Sequence, residues 1–308
     1  MIAHTSTDTG VEQLAENGTA PSPRARLLAA LPVTERRLEL AGISTSVLDG
    51  GEGDPIVLLH EPGSFAAHWL RVIPALVRRH RVVVPDLPGH GASEVSTGEL
   101  DGDRLLAWVG ELIERTCEDP PALVGHLGSG AIAGRFASKH GAKLRCVVLV
   151  DSLGLGRFRP APSFALVLLR YVVRPTPRSY DGLMQRCTAD FAGVRAGLGE
   201  LWQPFADYTL DRSRSPAGKE ALRKIMREVA VAPIPASDLE RMPAATSLIW
   251  GRHDPVVRPS VAEAASRRYG WPLHVVDDAG DDPPIEQPDA FLAALDAALA
   301  ATERDRQR

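Results

Sequence analysis

The 308-residue chain lacks several features that would place it outside the ordinary globular proteins. Its three cysteines, Cys117, Cys146 and Cys187, are scattered and odd in number, which is typical of reduced thiols rather than of a disulfide framework. No apolar run approaches the roughly 20 residues of a membrane span. The N-terminus has no basic start followed by an apolar segment, so no secretory signal is predicted. We therefore expect a cytoplasmic protein without a membrane partner.

Strong charge of either sign is also lacking. The formal net charge is -4 and the isoelectric point is near 6.2, which gives no basis for binding nucleic acid. There is no glycine-rich dinucleotide fingerprint, and no histidines and carboxylates stand at metal-ligand spacing. From the sequence we expect no cofactor and no metal. The oligomeric state stays open.

Short apolar runs that alternate with helical patterns are the main structural signal. The runs at 56–59, 82–85, 122–124 and 146–150 are apolar throughout, as expected of strands buried on both faces of a parallel sheet. Between 155 and 243 the pattern changes to helical pieces separated by prolines. We predict a flexible tail over 1–30, an α/β core over 31–154 and 244–303, and a helical cap over 155–243.

The stretch Leu123–Gly134, LVGHLGSGAIAG, has the outline of a strand, a tight turn and a helix. A glycine-flanked turn in this setting is the nucleophile elbow, G-x-S-x-G, which thrusts its central residue out over the edge of the sheet. Leu127 occupies the nucleophile position, and a leucine side chain cannot attack a carbonyl group. The sequence therefore predicts an elbow without its nucleophile.

Five segments together carry a family resemblance: LLHEPGSFAAHW, PDLPGHGAS, VGHLGSGAIA, LIWGRHDPVV and AGDDPPIEQPDAF. The chain resembles the α/β-hydrolase superfamily, and especially its capped members, the carbon–carbon bond hydrolases, epoxide hydrolases and haloalkane dehalogenases. The resemblance implies an α/β fold with a mostly parallel central sheet, helices on both faces and an inserted helical cap. It also implies a catalytic triad in the order nucleophile, acid, histidine.

Two of the three triad positions depart from the family pattern. Asp254 matches the acid, but Asp281 stands where the histidine is expected in G-H-x-P-x-x-E-x-P. Two close carboxylates would raise the pKa of one of them and could share a proton. Ser129, two residues after the elbow position, should point about 200° away around the helix axis. We expect Ser129 to be a small residue at the helix start rather than a displaced nucleophile.

A further departure lies where the family usually has glycine and forms its oxyanion hole. Glu61 stands there, and its side chain would crowd that hole, add a carboxylate to the pocket floor or point into solvent. The candidate catalytic residues are therefore Asp254, Asp281 and Glu61. By the same resemblance, the pocket residues are Pro62, Leu127, Gly128 and His126, the last expected to be packed and hydrogen-bonded rather than catalytic.

Three functional hypotheses follow. The first is an enzyme, with a place in a bacterial biosynthetic pathway, that acts on a hydrophobic small molecule by acid/base or orientation catalysis without a covalent intermediate. Elimination, isomerisation and cyclisation are the candidate reactions. The second is a non-catalytic protein that binds a ligand or a partner and leaves it chemically unchanged. The third is a hydrolase with displaced catalytic groups.

Overall fold

The computed structural model describes residues 20–96, 98–243 and 245–306. At its centre lies one eight-stranded sheet with the strand order β1-β2-β4-β3-β5-β6-β7-β8. The strands are β1 (Thr34–Leu40), β2 (Ile43–Gly50), β3 (Pro55–Leu59), β4 (Arg81–Pro85), β5 (Ala122–His126), β6 (Cys146–Val150), β7 (Thr246–Gly251) and β8 (Leu273–Val276). Strand β2 pairs antiparallel with β1 and β4, and all other pairs are parallel. The predicted mostly parallel α/β sheet is confirmed.

The central strands form because their residues are apolar on both faces. In β3, Ile56 and Leu58 face one hydrophobic core, whereas Val57 and Leu59 face the other, and all four side chains are fully buried. A strand that buries both faces needs helices on each side of the sheet. The core helices are α1 (Pro23–Ala29), α2 (Ile73–Leu76), α3 (Gly102–Thr116), α4 (Gly128–His140), α11 (Pro259–Tyr269), α12 (Pro283–Glu286) and α13 (Pro288–Arg306).

The segment between β6 and β7 contains helices and, among its described residues, no strand. Its helices are α5 (Pro162–Val173), α6 (Pro177–Cys187), α7 (Phe191–Leu198), α8 (Trp202–Arg214), α9 (Pro216–Ile225) and α10 (Ala236–Leu239). The sequence analysis did not anticipate α7 and α8. Helix α7 is separate from α6 because the Asp190 side chain caps it, accepting a hydrogen bond from the N–H of Gly193 at 3.0 Å.

The predicted tail needs a correction at its C-terminal end. Residues 23–29 form helix α1, where the Ser22 side chain caps the first turn and Leu27 is buried in the core. This helix packs against α8. Residues 1–19 of the predicted tail lie outside the described residues. None of the helices in the described parts of the chain combines the length and the apolar character needed to cross a bilayer.

Candidate active site

The turn at Leu127 has the backbone geometry of the predicted elbow. Strand β5 ends at His126, Leu127 has φ 47° and ψ -114°, and α4 begins at Gly128. Such a backbone conformation costs a non-glycine residue about 1–3 kcal/mol. The first turn of α4 also packs closely against Ser152. Position 130 therefore has to be glycine, since a Cβ atom there would lie 2.2 Å from the Ser152 hydroxyl oxygen. The chain therefore maintains a strained turn that presents a leucine.

Ser129 is not placed to attack a ligand. Its side chain is fully buried, and its hydroxyl donates a hydrogen bond to the carbonyl oxygen of His60 at 2.6 Å. Ser129 does not line the cavity above the elbow. Its hydroxyl instead links the start of α4 to the end of β3, as expected for a residue that supports the turn.

A cavity of about 310 Å³ lies above the elbow, roofed by α5, α6 and α8. This volume is in the range of small-molecule sites. Apolar side chains form most of its wall, and Pro62, Leu127 and Gly128 line it as predicted. His126, which was predicted to line the pocket, is not among the lining residues and is fully buried, with Nε2 at 2.7 Å from the backbone carbonyl of Asp281. No lysine or arginine is found among the described residues of the cavity wall.

Three acidic residues line the cavity: Glu61, Asp281 and Asp282. Burial raises the pKa of Glu61 to about 7, against the opposing effect of nearby His68. Burial also raises the pKa of Asp281 well above its ordinary value, and the neighbouring Asp254 and Glu61 carboxyls raise it further. The structure thus brings two of the three predicted catalytic carboxyls, Glu61 and Asp281, to one wall.

Asp254 lies behind this wall and does not line the cavity. Its Oδ1 accepts hydrogen bonds from the N–H groups of Val256 at 2.6 Å and Val257 at 2.8 Å, and its Oδ2 is buried without a hydrogen-bond partner. Burial raises its pKa to about 7. Asp254 therefore does not contact the cavity itself, but it lies close enough to Asp281 to raise the pKa of that carboxyl group.

Two carboxyl groups of this region were missed from the sequence. Asp151 directly follows β6 with φ 44°, and its Oδ1 accepts the N–H of Gly251 at 2.9 Å. Burial, together with nearby Asp254, raises the pKa of Asp151 well above its ordinary value. The position of an aspartate immediately after a fully apolar strand could have indicated it.

Glu286 is the second missed group. Its Oε1 accepts the N–H groups of Gly280 at 2.7 Å and Asp282 at 3.2 Å, and its Oε2 accepts the N–H of Ala189 at 2.6 Å. The carboxyl group therefore ties the loop that carries Asp281 to the segment between α6 and α7. This role explains why a glutamate fits that place in the motif even though the catalytic histidine is absent.

A buried hydrogen-bonded chain crosses the cavity floor. The Nε2 atom of His68, in the 3₁₀ turn Ala66–Arg71, donates to Asp282 at 2.9 Å, and Nδ1 pairs with the Ser64 hydroxyl at 2.9 Å. The Asp282 carboxylate raises the pKa of His68 despite its burial. Nothing in the spacing of residues along the chain predicts this pairing of His68 with Asp282.

His126 stands beside this chain, with its ring 5.8 Å from that of His68 between centroids. Its Nε2 lies 2.7 Å from the backbone carbonyl of Asp281, which can only accept, so Nε2 carries the proton. Its Nδ1 is buried without a partner, and burial lowers its pKa to about 4. Potential ligand atoms of His68, His126 and Asp282 lie within 4.8 Å of one another. The expectation of no metal rested on spacing along the chain, which did not reveal this cluster.

Comparisons with known proteins agree with the fold and the motifs. A family model described as "Alpha/beta hydrolase family" matches residues 56–294. The chain is 28% identical over 281 residues to 2-hydroxy-6-oxo-2,4-heptadienoate hydrolase of Pseudomonas putida, covering 87% of this chain and 97% of the relative. It is 28% identical over 134 residues to a soluble epoxide hydrolase of Corynebacterium sp., covering 44% of this chain and 46% of the relative.

Among solved structures, the 2-hydroxy-6-oxo-6-phenylhexa-2,4-dienoate hydrolase of Rhodococcus sp. strain RHA1 aligns with a TM-score of 0.75 at 22% identity. The alignment covers 87% of this chain and 99% of that one. At this identity the likeness concerns the fold alone. The family resemblance drawn from the five sequence segments is confirmed.

Proposed function

Because the chain belongs to the alpha/beta hydrolase family and yet presents a leucine at the elbow, we propose that it is an enzyme without a covalent step. Its substrate is a hydrophobic small molecule held in the cavity under the helical segment. Glu61 and Asp281 move protons within that molecule, so that it undergoes an elimination, isomerisation or cyclisation. The alternatives are a binding protein that leaves its ligand unchanged and a hydrolase with displaced groups.

One observation carries the proposal. A cavity of about 310 Å³ lies above the elbow, and Glu61 and Asp281 both line it together with Leu127. A protein that had only lost its activity would have no reason to keep two buried carboxyl groups facing an apolar chamber, since burying them unpaired is costly. A group that exchanges a proton with a bound ligand has to lie within reach of it.

Glu61, Asp281 and Asp254 have different roles in this proposal. Glu61 has a pKa raised to about 7 and is suited to accept a proton near neutral pH, where general bases work best. Asp281 lies among other carboxyl groups and stays protonated, so it donates. Asp254 faces Asp281 from behind and holds it in the protonated state, which makes Asp254 a positioning residue.

The lining of the cavity also bears on the substrate. The P. putida relative is named for a hydroxy-oxo-heptadienoate, which is an anion. Here the described wall has no lysine or arginine to pair with a carboxylate, and the charge of His68 is already paired with Asp282, so the cavity offers little to bind an anionic ligand. We therefore propose a neutral, oxygenated, hydrophobic substrate, which sets this chain apart from that relative.

The test is to incubate the purified protein with extract from its own host and to follow bound and converted metabolites by native and untargeted mass spectrometry. We expect a metabolite that wild type converts, and about a 100-fold or greater loss of conversion in Glu61→Gln and in Asp281→Asn. The exposed Glu200 provides the matched control, Glu200→Gln, which should convert at the wild-type rate.

Other outcomes would favour the alternatives. A metabolite that is retained by every variant and never altered would make the protein a ligand-binding protein. Covalent labelling by a serine-directed phosphonate, mapped to Ser64 on the cavity wall, would favour a hydrolase with a displaced nucleophile. Conversion that both carboxamide variants carry out at full rate would refute the acid/base roles of Glu61 and Asp281.

A further inference from the structure

The cluster of His68, His126 and Asp282 contains the ligand types of a transition-metal site. Two imidazole nitrogens and one carboxylate oxygen lie within 4.8 Å of one another, and all three residues are buried. This donor set is typical of catalytic zinc sites and of other first-row divalent metals, which keep further positions open for water or substrate. The three residues come from distant parts of the chain and meet only in the folded protein.

The hydrogen bonds around the cluster are those that metal-binding histidines need. A histidine that binds a metal through one nitrogen almost always donates the other N–H to a carbonyl, carboxylate or similar acceptor. His126 already donates Nε2–H to the carbonyl of Asp281 and leaves the Nδ1 lone pair buried and unpartnered. His68 has the Ser64 hydroxyl at Nδ1, which leaves Nε2 for a metal. An unpartnered nitrogen in the interior is costly, and a metal ion would satisfy it.

The spacing of the His68 and Asp282 atoms is compatible with a bound ion, and the His126 nitrogen, within 4.8 Å of both, would move toward them. Two ligands on a tetrahedral metal, each at about 2.0 Å, stand about 3.3 Å apart. Nε2 of His68 lies 2.9 Å and 3.1 Å from the two carboxylate oxygens of Asp282. A metal would displace the proton that these two groups now share and would take its place between them, with a small outward movement of each side chain.

Access and charge favour a cation. His68 and Asp282 line the cavity, so an ion held by them faces the chamber and can be reached from it. The carboxyl groups of Glu61 and Asp281 lie on the same wall, which carries no lysine or arginine among its described residues. The Asp282 carboxylate is therefore the anionic ligand at this floor, and no lysine or arginine of the described wall competes for it.

We propose that His68, His126 and Asp282 bind one divalent first-row transition metal ion at the floor of the cavity, with its open positions toward the chamber. Such an ion would hold a water molecule or an oxygen atom of a bound ligand. This inference does not depend on the proposed function, because the binding of a metal is measured without any turnover.

The test uses the full chain, freed of metal with a chelator and then titrated with Zn²⁺ by calorimetry. We expect one equivalent to bind, with a dissociation constant in the micromolar range or below. Asp282→Asn and His126→Gln should each weaken binding by about 100-fold or more, and Ser64→Ala by about 10-fold, as for a residue that orients a ligand. His253→Gln, which removes an exposed histidine, is the matched control and should bind as wild type does.

X-ray absorption of the wild-type zinc complex tests the same point without any variant. It should show nitrogen and oxygen neighbours at about 2.0 Å and no sulfur. The proposal is overturned if wild type binds no Zn²⁺ at millimolar concentration, or if sulfur neighbours appear, which would indicate Cys187. It is also overturned if folded Asp282→Asn and His126→Gln bind Zn²⁺ as wild type does.

Discussion

Replacing Asp254 by asparagine should make the protein more stable at alkaline pH while leaving its stability in acid nearly unchanged. Burial raises the pKa of Asp254 from an ordinary 3.8 to about 7 in the folded protein. The folded state therefore binds more protons than the unfolded state between pH 4 and pH 7. Stability from this group is fully present below pH 4 and is lost as the pH rises through 7.

The size of the effect follows from the same values. A folded pKa about three pH units above the unfolded one corresponds to about 4 kcal/mol, an upper bound because Asp151 and Asp281 share the same protons. Asparagine keeps an oxygen for the N–H groups of Val256 and Val257 and cannot ionise. We therefore expect Asp254→Asn to exceed wild type by at most about 2 kcal/mol at pH 5, where part of the loss has already occurred, and by up to about 4 kcal/mol at pH 8.

The assay is urea unfolding of both proteins at pH 5, 6, 7 and 8, with the slope of the transition compared at each pH. The exposed Asp119 supplies the control. Asp119→Asn should show the same difference in the free energy of unfolding between pH 5 and pH 8 as wild type does. If Asp254→Asn is destabilised equally at pH 5 and pH 8, the Asp254 carboxyl is ionised in the folded protein and the reasoning fails.

Two further outcomes are expected. The double change Leu127→Ser and Asp281→His should restore a hydrolase triad with Asp254. A serine-directed phosphonate should therefore label the double variant at least about 100-fold faster than Leu127→Ser alone. Equal labelling of the two folded variants would contradict the assignment of positions 127 and 281 to the nucleophile and the histidine. Thr45→Val should lower the free energy of unfolding by about 1–3 kcal/mol, because the buried indole N–H of Trp108 loses the hydroxyl acceptor that now lies at 2.9 Å. Thr45→Ser keeps that acceptor and is the control. Equal losses of stability in the two variants would show that the hydrogen bond does not matter.

Much of the fold follows from local pattern. The run Ile56–Leu59 has apolar residues at successive positions, and only a strand covered on both faces can bury them all. The glycines around Leu127 mark the elbow because no larger residue fits where a Cβ would meet another backbone or hydroxyl. The flanking motif residues also predict which positions of the family pattern Leu127 and Asp281 occupy.

The helical segment was harder to predict because its helices are short and separated by caps rather than by a change of composition. Helix α8 carries Pro204 in its first turn, which read along the sequence as a break, yet proline is tolerated at that place in a helix. The end of α6 and the start of α7 depend on the cap by Asp190, a contact that a helical pattern alone does not locate.

The chemistry of the site was decided by tertiary structure. The sequence by itself determined which groups are absent from the elbow and which carboxyl groups stand in their place. It could not determine that Glu61 and Asp281 open into the cavity while Asp254 stays behind them, nor that Asp151 and Glu286 join them. The proximity of His68, His126 and Asp282 was likewise not determined by the sequence alone. Their neighbourhood is produced by the packing of the 3₁₀ turn Ala66–Arg71, the end of β5 and the loop before α12, and the distance between side chains from separate elements is not encoded in any local period or spacing.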